Sequence, residues 1–287
     1  MSSQITTAFV EQYSNNVQML SQQKGSLLRD KVDSETVQGK NAFFEQIGSV
    51  TAQVRSSRHA PTPQLDTPHA RRRVSLADYE FADLIDDQDK VRTLIDPTSS
   101  YAQAAAFAMG RAMDDVIISA ATGTAFTGVS GGTSTALPGS QAITESGTDG
   151  LTIAKLRQAK RTFDLASVDA SIPRYIVVSP RQIDDLLGTT SVTSADFNTV
   201  RALVTGEVNT FMGFQFIVSN RLSVSNSKRL CFAYAQDGIK LALGKDVMSR
   251  IDERADVGYA TQIYYCMSIG ATRMEEEKVV SIQAHEA

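Results

Sequence analysis

The 26 residues from Pro97 to Thr122 constrain this chain more than any other stretch. Asp96 stands in N-cap position, Pro97 falls in the first helical turn, and Gly123 follows the end. At 1.5 Å per residue, that helix spans about 39 Å. Eight of its residues are alanine, which favours helix and permits close backbone approach. Gly110 in its interior is tolerated at a cost of about 1 kcal/mol against alanine. The fold is expected to be built along one long helix.

The segments before it do not look self-sufficient. Residues 1–30 read as an amphipathic helix, with Ile5, Phe9, Tyr13, Val17 and Leu20 near the helical period. Nothing nearby in sequence covers that face. From Lys40 to Val54 the strand formers Phe43, Phe44, Ile47, Val50 and Val54 dominate. Ser56 to His69 holds Pro61, Pro63 and Pro68 and cannot be regular structure. A second polar/apolar stretch runs from Arg73 to Phe81. The simplest assembly is a long two-stranded excursion with a proline-rich tip. A lone hairpin is marginally stable in water, so one this long wants a partner.

Beyond the helix, residues 123–150 carry seven glycines among serines and threonines and read as a long loop. An α/β pattern follows: a helix over Asp149 to Val168, a strand at Tyr175 to Val178, and a Ser179-capped helix to Gly188. A further helix is expected over Asp196 to Val204. Strands are expected at Phe214 to Val218, Leu230 to Tyr234 and Ile239 to Leu243. The end, Val247 to Ala284, is strand-rich, with Ile263, Tyr265, Met267 and Ile269 on one face. Helices and strands partly mixed and partly segregated define an α+β fold.

Composition removes several classes. At 287 residues, 42% hydrophobic and 21% charged, the chain can bury one elaborate core or two ordinary ones. No apolar run approaches the roughly 20 residues of a membrane helix, and Met1-Ser2-Ser3-Gln4 does not open a signal peptide. Cys231 and Cys266 cannot make a disulfide framework, which fits a reducing compartment. The net charge is −4, but its distribution is uneven. Between Arg55 and Arg73 lie five arginines, Arg55, Arg58, Arg71, Arg72 and Arg73, against Asp66 alone. From Asp78 to Asp96 there are seven acids, Asp83, Asp86 and Asp87 among them, against Lys90 and Arg92. Such runs are solvated faces or patches that meet between copies.

A search for catalytic chemistry returns little. Gly128-Val129-Ser130-Gly131-Gly132 fits G-x-S-x-G, but a nucleophile elbow needs a strand before the serine and a helix after it. A helix end and a glycine-rich loop are expected there instead, and the only downstream histidine is His285. Three histidines and two isolated cysteines offer no metal spacing, and no G-x-G-x-x-G or P-loop occurs. No catalytic residue, cofactor or metal is expected. Asp114 and Asp115 point in different directions on a helix, and Arg111 can reach Asp115 at i,i+4. Arg71 to Arg73 lack interleaved aromatics, so a sequence-specific nucleic-acid reader is not indicated.

The order of pieces resembles the major capsid (coat) protein of tailed double-stranded DNA bacteriophages. Local sequence carries the same resemblance: Gly206-Glu207-Val208-Asn209-Thr210-Phe211-Met212-Gly213-Phe214, running through Gln215-Phe216-Ile217-Val218 to Ser219-Asn220, looks like that family's glycine-led turn into a strand. Ile269-Gly270-Ala271-Thr272-Arg273 followed by Val279-Val280-Ser281-Ile282 resembles its closing strands. The resemblance implies an N-arm over 1–35, an extended E-loop over 36–83, a peripheral domain of 84–150 with 245–287 around a spine helix, and an axial domain over 151–244. It implies no enzyme, but a structural protein forming hexamers and pentamers of an icosahedral shell around double-stranded DNA. The implied partners are copies of itself, a separate scaffolding protein, a portal protein, a decoration or cement protein, and packaged DNA held non-specifically; no membrane is involved. Its place would be the virion capsid, assembled in the cytoplasm of the bacterial host. Lys40, the only lysine between Val37 and Phe81, lies at the base of the loop, so chemical cross-linking is not expected. Under this resemblance Arg55, Arg58 and Arg71 to Arg73 would meet Asp83, Asp86 and Asp87 of a neighbour, and Ile5, Phe9 and Tyr13 would be N-arm contacts. An encapsulin-like compartment shell and a cytosolic hydrolase using Ser130 are the alternatives.

Overall fold

The computed structural model describes residues 21–55, 57–59, 61–62, 64–86, 98–144, 149–188 and 210–286. Ile5, Phe9 and Tyr13, Asp87, the Asp96–Pro97 cap and the helix expected over Asp196 to Val204 lie outside them. The amphipathic helix expected to reach residue 30 is not continued in residues 21–31, where only a 3-10 turn, Arg29–Lys31, is regular. The reason lies partly in the backbone: Gly25 takes φ +74°, a left-handed conformation that ends an α-helix.

Strand β1 (Asp33–Thr36) leads into β2 (Asn41–Ile47), β3 (His69–Ser75) and β4 (Ala77–Ile85). β2 and β3 form the expected antiparallel excursion, in register from Asn41–Ser75 to Ile47–His69. The second arm differs from expectation: Arg73 to Phe81 is not one strand but two, broken at Leu76, whose N–H donates to the Lys40 carbonyl. β4 then leaves the hairpin and pairs elsewhere, so the excursion ends near residue 76 rather than 83.

Helix α1 (Thr98–Thr122) is the long helix, and Gly123 follows it. The glycine-rich stretch after it is not a loop throughout. It forms β5 (Ala125–Thr127), β6 (Thr133–Thr135) and β7 (Ala142–Ile143). β5 pairs with β3, so the stretch is ordered by adding to the sheet at the hairpin base. Helix α2 (Ile153–Leu165), N-capped by the Thr152 hydroxyl, precedes β8 (Arg174–Val178) and α3 (Pro180–Gly188). The remaining strands are β9 (Thr210–Phe211), β10 (Phe214–Val218), β11 (Val224–Ser225), β12 (Lys228–Ala235), β13 (Ile239–Arg254), β14 (Ala260–Arg273) and β15 (Val279–His285).

Three sheets result among the described residues. One has the order β1-β13-β14-β4; a second runs β7-β15-β12-β8-β10-β9, with β11 beside β12; the third, at the hairpin base, is β2-β3-β5-β6. The α+β class holds. Two expected boundaries do not match this pairing. Residue 245 falls inside the 16-residue β13, and β15 hydrogen-bonds along β12 from Lys228–His285 to Tyr234–Val279. The closing strand thus completes the sheet of residues 151–244, with Val280, Ile282 and Ala284 buried on one face and Ser281, Gln283 and His285 alternating onto the other.

One large core joins these layers. Met113, Ile117 and Ala121 on α1 pack in one cluster with Met267 and Ile269 on β14, and Leu156, Ala159 and Phe163 on α2 pack on the second sheet. Phe163 meets Phe214 with ring centroids 6.0 Å apart, and Tyr175 meets Tyr234 at 5.5 Å.

Glu286 locks the end of β15. It accepts two hydrogen bonds from Arg229, both 2.6 Å, and one from the Ser179 hydroxyl at 3.0 Å. The Arg229 guanidinium, helped by Ser179 and Gln182, holds its carboxyl below the usual carboxylate value despite partial burial. A carboxyl with a depressed folded-state pKa stabilises above its unfolded pKa, and that contribution is lost as pH falls through the folded value. Acid titration of stability is therefore expected to steepen below pH 4.5, the ordinary glutamate value, and Glu286→Gln should flatten that limb. Chemical denaturation of both proteins across pH 3 to 7 checks this; identical acid limbs would remove Glu286 from the account.

Candidate inter-subunit surface

The hairpin β2–β3 stands on a braced base and ends in an unbraced tip. At the base, Arg71 Nε donates to Glu45 Oε1 at 2.7 Å, a pair that the antiparallel register places directly opposite. Its guanidinium also lies 5.4 Å from the Phe43 ring centroid. Arg72 turns to the other face and is 6% exposed. Its Nε donates to the Met274 carbonyl at 2.8 Å, and its Nη2 reaches both Glu276 oxygens at 2.8 and 2.6 Å. Arg73 stacks 4.8 Å over Phe126 on β5. Gly131, at φ +66°, passes so close that a Cβ there would sit 2.6 Å from the Arg73 side chain.

Three of the five arginines expected to reach a neighbour are thus held by their own chain. For Arg72 the correction is complete, since a buried guanidinium bound to its own glutamate is no docking group. The sequence could have revealed Glu45, through strand alternation opposite Arg71. Glu276, 204 residues away, gave no local signal.

The tip is different. Arg55 and Arg58 are exposed, and among the described residues neither has a carboxylate within ion-pair distance; Arg55 donates to the carbonyls of Ser57 and Arg58. Beside them Val54 is 95% exposed and Ile47 69% exposed, with Val50 and Leu65 also open. Two cations among four exposed apolar side chains on a thin extension make a surface that gains from being covered.

Of the expected acids, Asp83 sits on β4, an edge strand among the described residues with β14 on one side only. Asp83 lies opposite Ile263, half-buried, and accepts the Leu84 N–H at 2.9 Å. Asp86 is exposed just past the strand. Asp78 and Glu80 share β4, and Glu80 accepts from the Tyr264 hydroxyl. Among the described residues, none of the hairpin arginines forms an ion pair with Asp78, Glu80, Asp83 or Asp86.

The long helix carries a second correction. Asp115 does not pair with Arg111 but with Arg221, whose Nε donates at 2.6 Å. Arg111 instead donates to Gln22 and to the Gln23 carbonyl. Its neighbour Asp114 is fully buried and accepts the backbone N–H groups of Leu27 and Leu28, at 3.0 and 3.1 Å, besides Gln23 and Ser26. The two adjacent aspartates hold different segments because successive helical side chains diverge by about 100°.

The G-x-S-x-G motif does not take the geometry of a nucleophile elbow. Ser130 sits in a turn between β5 and β6; strand–turn–strand replaces the strand–turn–helix of a nucleophile elbow, and His285 lies on β15. The expected helix end before this motif is replaced by the short strand β5. Among the described residues no group of three or more His, Cys, Asp or Glu could hold a metal ion. No helix among them is long and apolar enough to cross a membrane.

The described fold is a long helix packed on two sheets, with a braced hairpin at their edge. Solved capsids share it. The chain is similar to the capsid protein of cyanophage P-SCSP1u (17% identity, TM-score 0.75, 99% of this chain and 95% of that one). It is also similar to the capsid proteins of Ralstonia phage GP4 (10%, TM-score 0.77, 97% and 96%) and cyanophage Pam1 (14%, TM-score 0.71, 98% of each). No curated protein matches. The profile of the phage capsid protein family matches residues 5–286, and the chain belongs to that family. It is a structural, major capsid protein that assembles with copies of itself into the shell of a virion.

Proposed function

We propose that the chain forms the hexamers and pentamers of an icosahedral shell around packaged double-stranded DNA, and that it has no catalytic role. The observation that carries this reading is the projecting hairpin, whose apolar, arginine-bearing tip has no cover among the described residues of its own subunit. Assembly takes place in the cytoplasm of the bacterial host with a separate scaffolding protein. A portal protein occupies one vertex, a decoration or cement protein can cover the outside, and DNA is held by non-specific contact.

Within the shell, Arg55 and Arg58 of one E-loop meet acids of the neighbour's β4 region, Asp83, Asp86 and Asp87. Arg71 and Arg73 brace the loop that presents them. Residues 1–35 act as the N-arm, with Ile5, Phe9 and Tyr13 on a neighbour. Exposed ion pairs are each worth about 0–1 kcal/mol, so the force comes from repetition across many copies.

Size exclusion and negative-stain electron microscopy of the purified chain, alone and with its scaffolding protein, test the reading. Shells, pentamers or hexamers are expected. A monomer that never assembles, even with the scaffold, overturns it. Charge reversal of Arg55 and Arg58 together should lower assembly yield at low salt and spare the melting temperature, as both side chains are exposed.

A further inference from the structure

Helix α2 leaves charge uncompensated on its outer side. Arg157, Lys160 and Arg161 follow i, i+3, i+4 spacing, so their Cβ atoms lie about 5–6 Å apart on one side of the helix. All three are exposed, and none has a hydrogen-bond or ion-pair partner among the described residues. Asp164 stands at i+4 from Lys160 and i+3 from Arg161, the spacing at which an acid would neutralise them. It is drawn instead to Arg174 on β8, at 2.9 Å. The mutual repulsion of the three cations is therefore unrelieved. No other element among the described residues carries three exposed cations free of an ion pair.

This side of the helix is open. α2 sits on the face of the second sheet that bears Arg174 and Phe214: Asp164 binds the first, and Phe163 packs on the second. Tyr175 and Tyr234 turn to the opposite face, where Lys31 lies 5.6 Å from the Tyr175 ring centroid. With Asp164, Leu165 and Met212, the three cations border a groove of about 400 Å³. Met212 packs against the chain's own core, which leaves Leu165, 78% exposed, as the open apolar side chain of the groove.

Charge identifies the occupant. The core of a protein interface is depleted in charge and built on clustered aromatic and apolar anchors, and one leucine among three cations does not supply that. A row of phosphates does match. Duplex DNA carries one negative charge per about 1.7 Å of axis, so all three cations can be met at once, whatever the base sequence. The two guanidiniums suit bidentate contact with phosphate oxygens, and the lysine acts as a point charge.

We propose that α2 lies on the inner, DNA-facing surface of the shell, and that Arg157, Lys160 and Arg161 hold backbone phosphates of the packaged duplex without reading its bases. This rests on the shell reading above and assigns one of its contacts. The patch recurs in every copy of a capsomer, which multiplies a contact that is weak in one subunit.

Two measurements test it. In the first, fluorescence anisotropy follows a duplex DNA oligonucleotide titrated with the wild-type chain and with Arg157→Gln/Lys160→Gln/Arg161→Gln, between about 50 and 200 mM salt. Three phosphate contacts contribute about −2.7 to the slope of log affinity against log salt, so the wild type should lose about 40-fold more affinity over that range per subunit engaged. Duplexes of unrelated sequence should bind alike, and the variant should melt and assemble like wild type. Equal salt dependence overturns the proposal. So does a folded variant that no longer assembles, which makes α2 a contact between proteins, or one that loses polyglutamate and keeps the duplex, which makes the groove a site for an acidic segment. The second measurement needs no substitution. In wild-type shells the Lys160 amine should be acetylated several-fold more slowly when DNA fills them than after the DNA is expelled; equal rates overturn the proposal and leave the shell reading standing. A wild-type chain that never assembles removes the shell and, with it, the packaged DNA.

Discussion

Replacing Glu276 with alanine is expected to destabilise the protein by about 3–5 kcal/mol, a fall of roughly 6–15 °C in Tm. Glu276 is the carboxylate for two guanidiniums. It binds Arg72 at 2.6 Å and lies 3.7 Å from Arg273, which is fully buried. Arg273 also donates to the carbonyls of Ala121 and Gly123, at the C-terminal end of α1, and to Thr135. Burial pulls the Arg273 pKa down and Glu276 opposes that pull. Without the carboxylate, two cations remain in a poorly solvated site. Both would need water, and the base of the hairpin would open to admit it. Glu276→Gln keeps the shape and one acceptor, so it should cost less than alanine. Hydrogen exchange localises the effect: amides of β3 and of the Met274 turn should lose protection before those of β12. A loss spread evenly over the molecule would show that Glu276 does not tie hairpin to body.

Asp114→Ala should cost about 3–4 kcal/mol, with a different local signature. Its carboxylate satisfies the Leu27 and Leu28 N–H groups, the Ser26 hydroxyl and the Gln23 amide. Charge-assisted hydrogen bonds of this type are about twice as strong as neutral ones. Removing the acceptor orphans buried backbone donors, so residues 22–31 should detach from α1 and become protease-sensitive. Asp114→Asn keeps one oxygen and should lose roughly half as much. Gly110→Ala is a companion test. Helix propensity alone would make it stabilising by about 1 kcal/mol. Its Cβ, however, would sit 2.4 Å from the Gly25 backbone, so destabilisation and a freed N-terminal segment are expected. A more stable Gly110→Ala protein would mean that residues 22–28 do not lie on the helix.

The sequence by itself determined a good deal here. It located α1 to its last residue, because alanine content, spacing and Gly123 are local signals. It located the start of β2, though the strand ends at Ile47 and not Val54, and α2, β8, α3 and most of the later strands, for the same reason. It also carried the family, since the order of these elements is a property of the chain read end to end.

What only the tertiary structure decided is who meets whom. Arg72 looked like one of three equivalent arginines, and its burial depends on the turn after β14 arriving 204 residues later. Asp115 had an i,i+4 partner in Arg111, yet Arg221 outcompetes it from 106 residues away while Arg111 turns to Gln22. β15 follows β14 in sequence but lies between β12 and β7, an order that its alternating pattern of Val280, Ile282 and Ala284 with Ser281, Gln283 and His285 does not reveal. Periodicity fixes which side of an element is apolar within a window of some ten residues. The partner of that side, and of each charge beside it, is set by sheet order and register, which no local window contains.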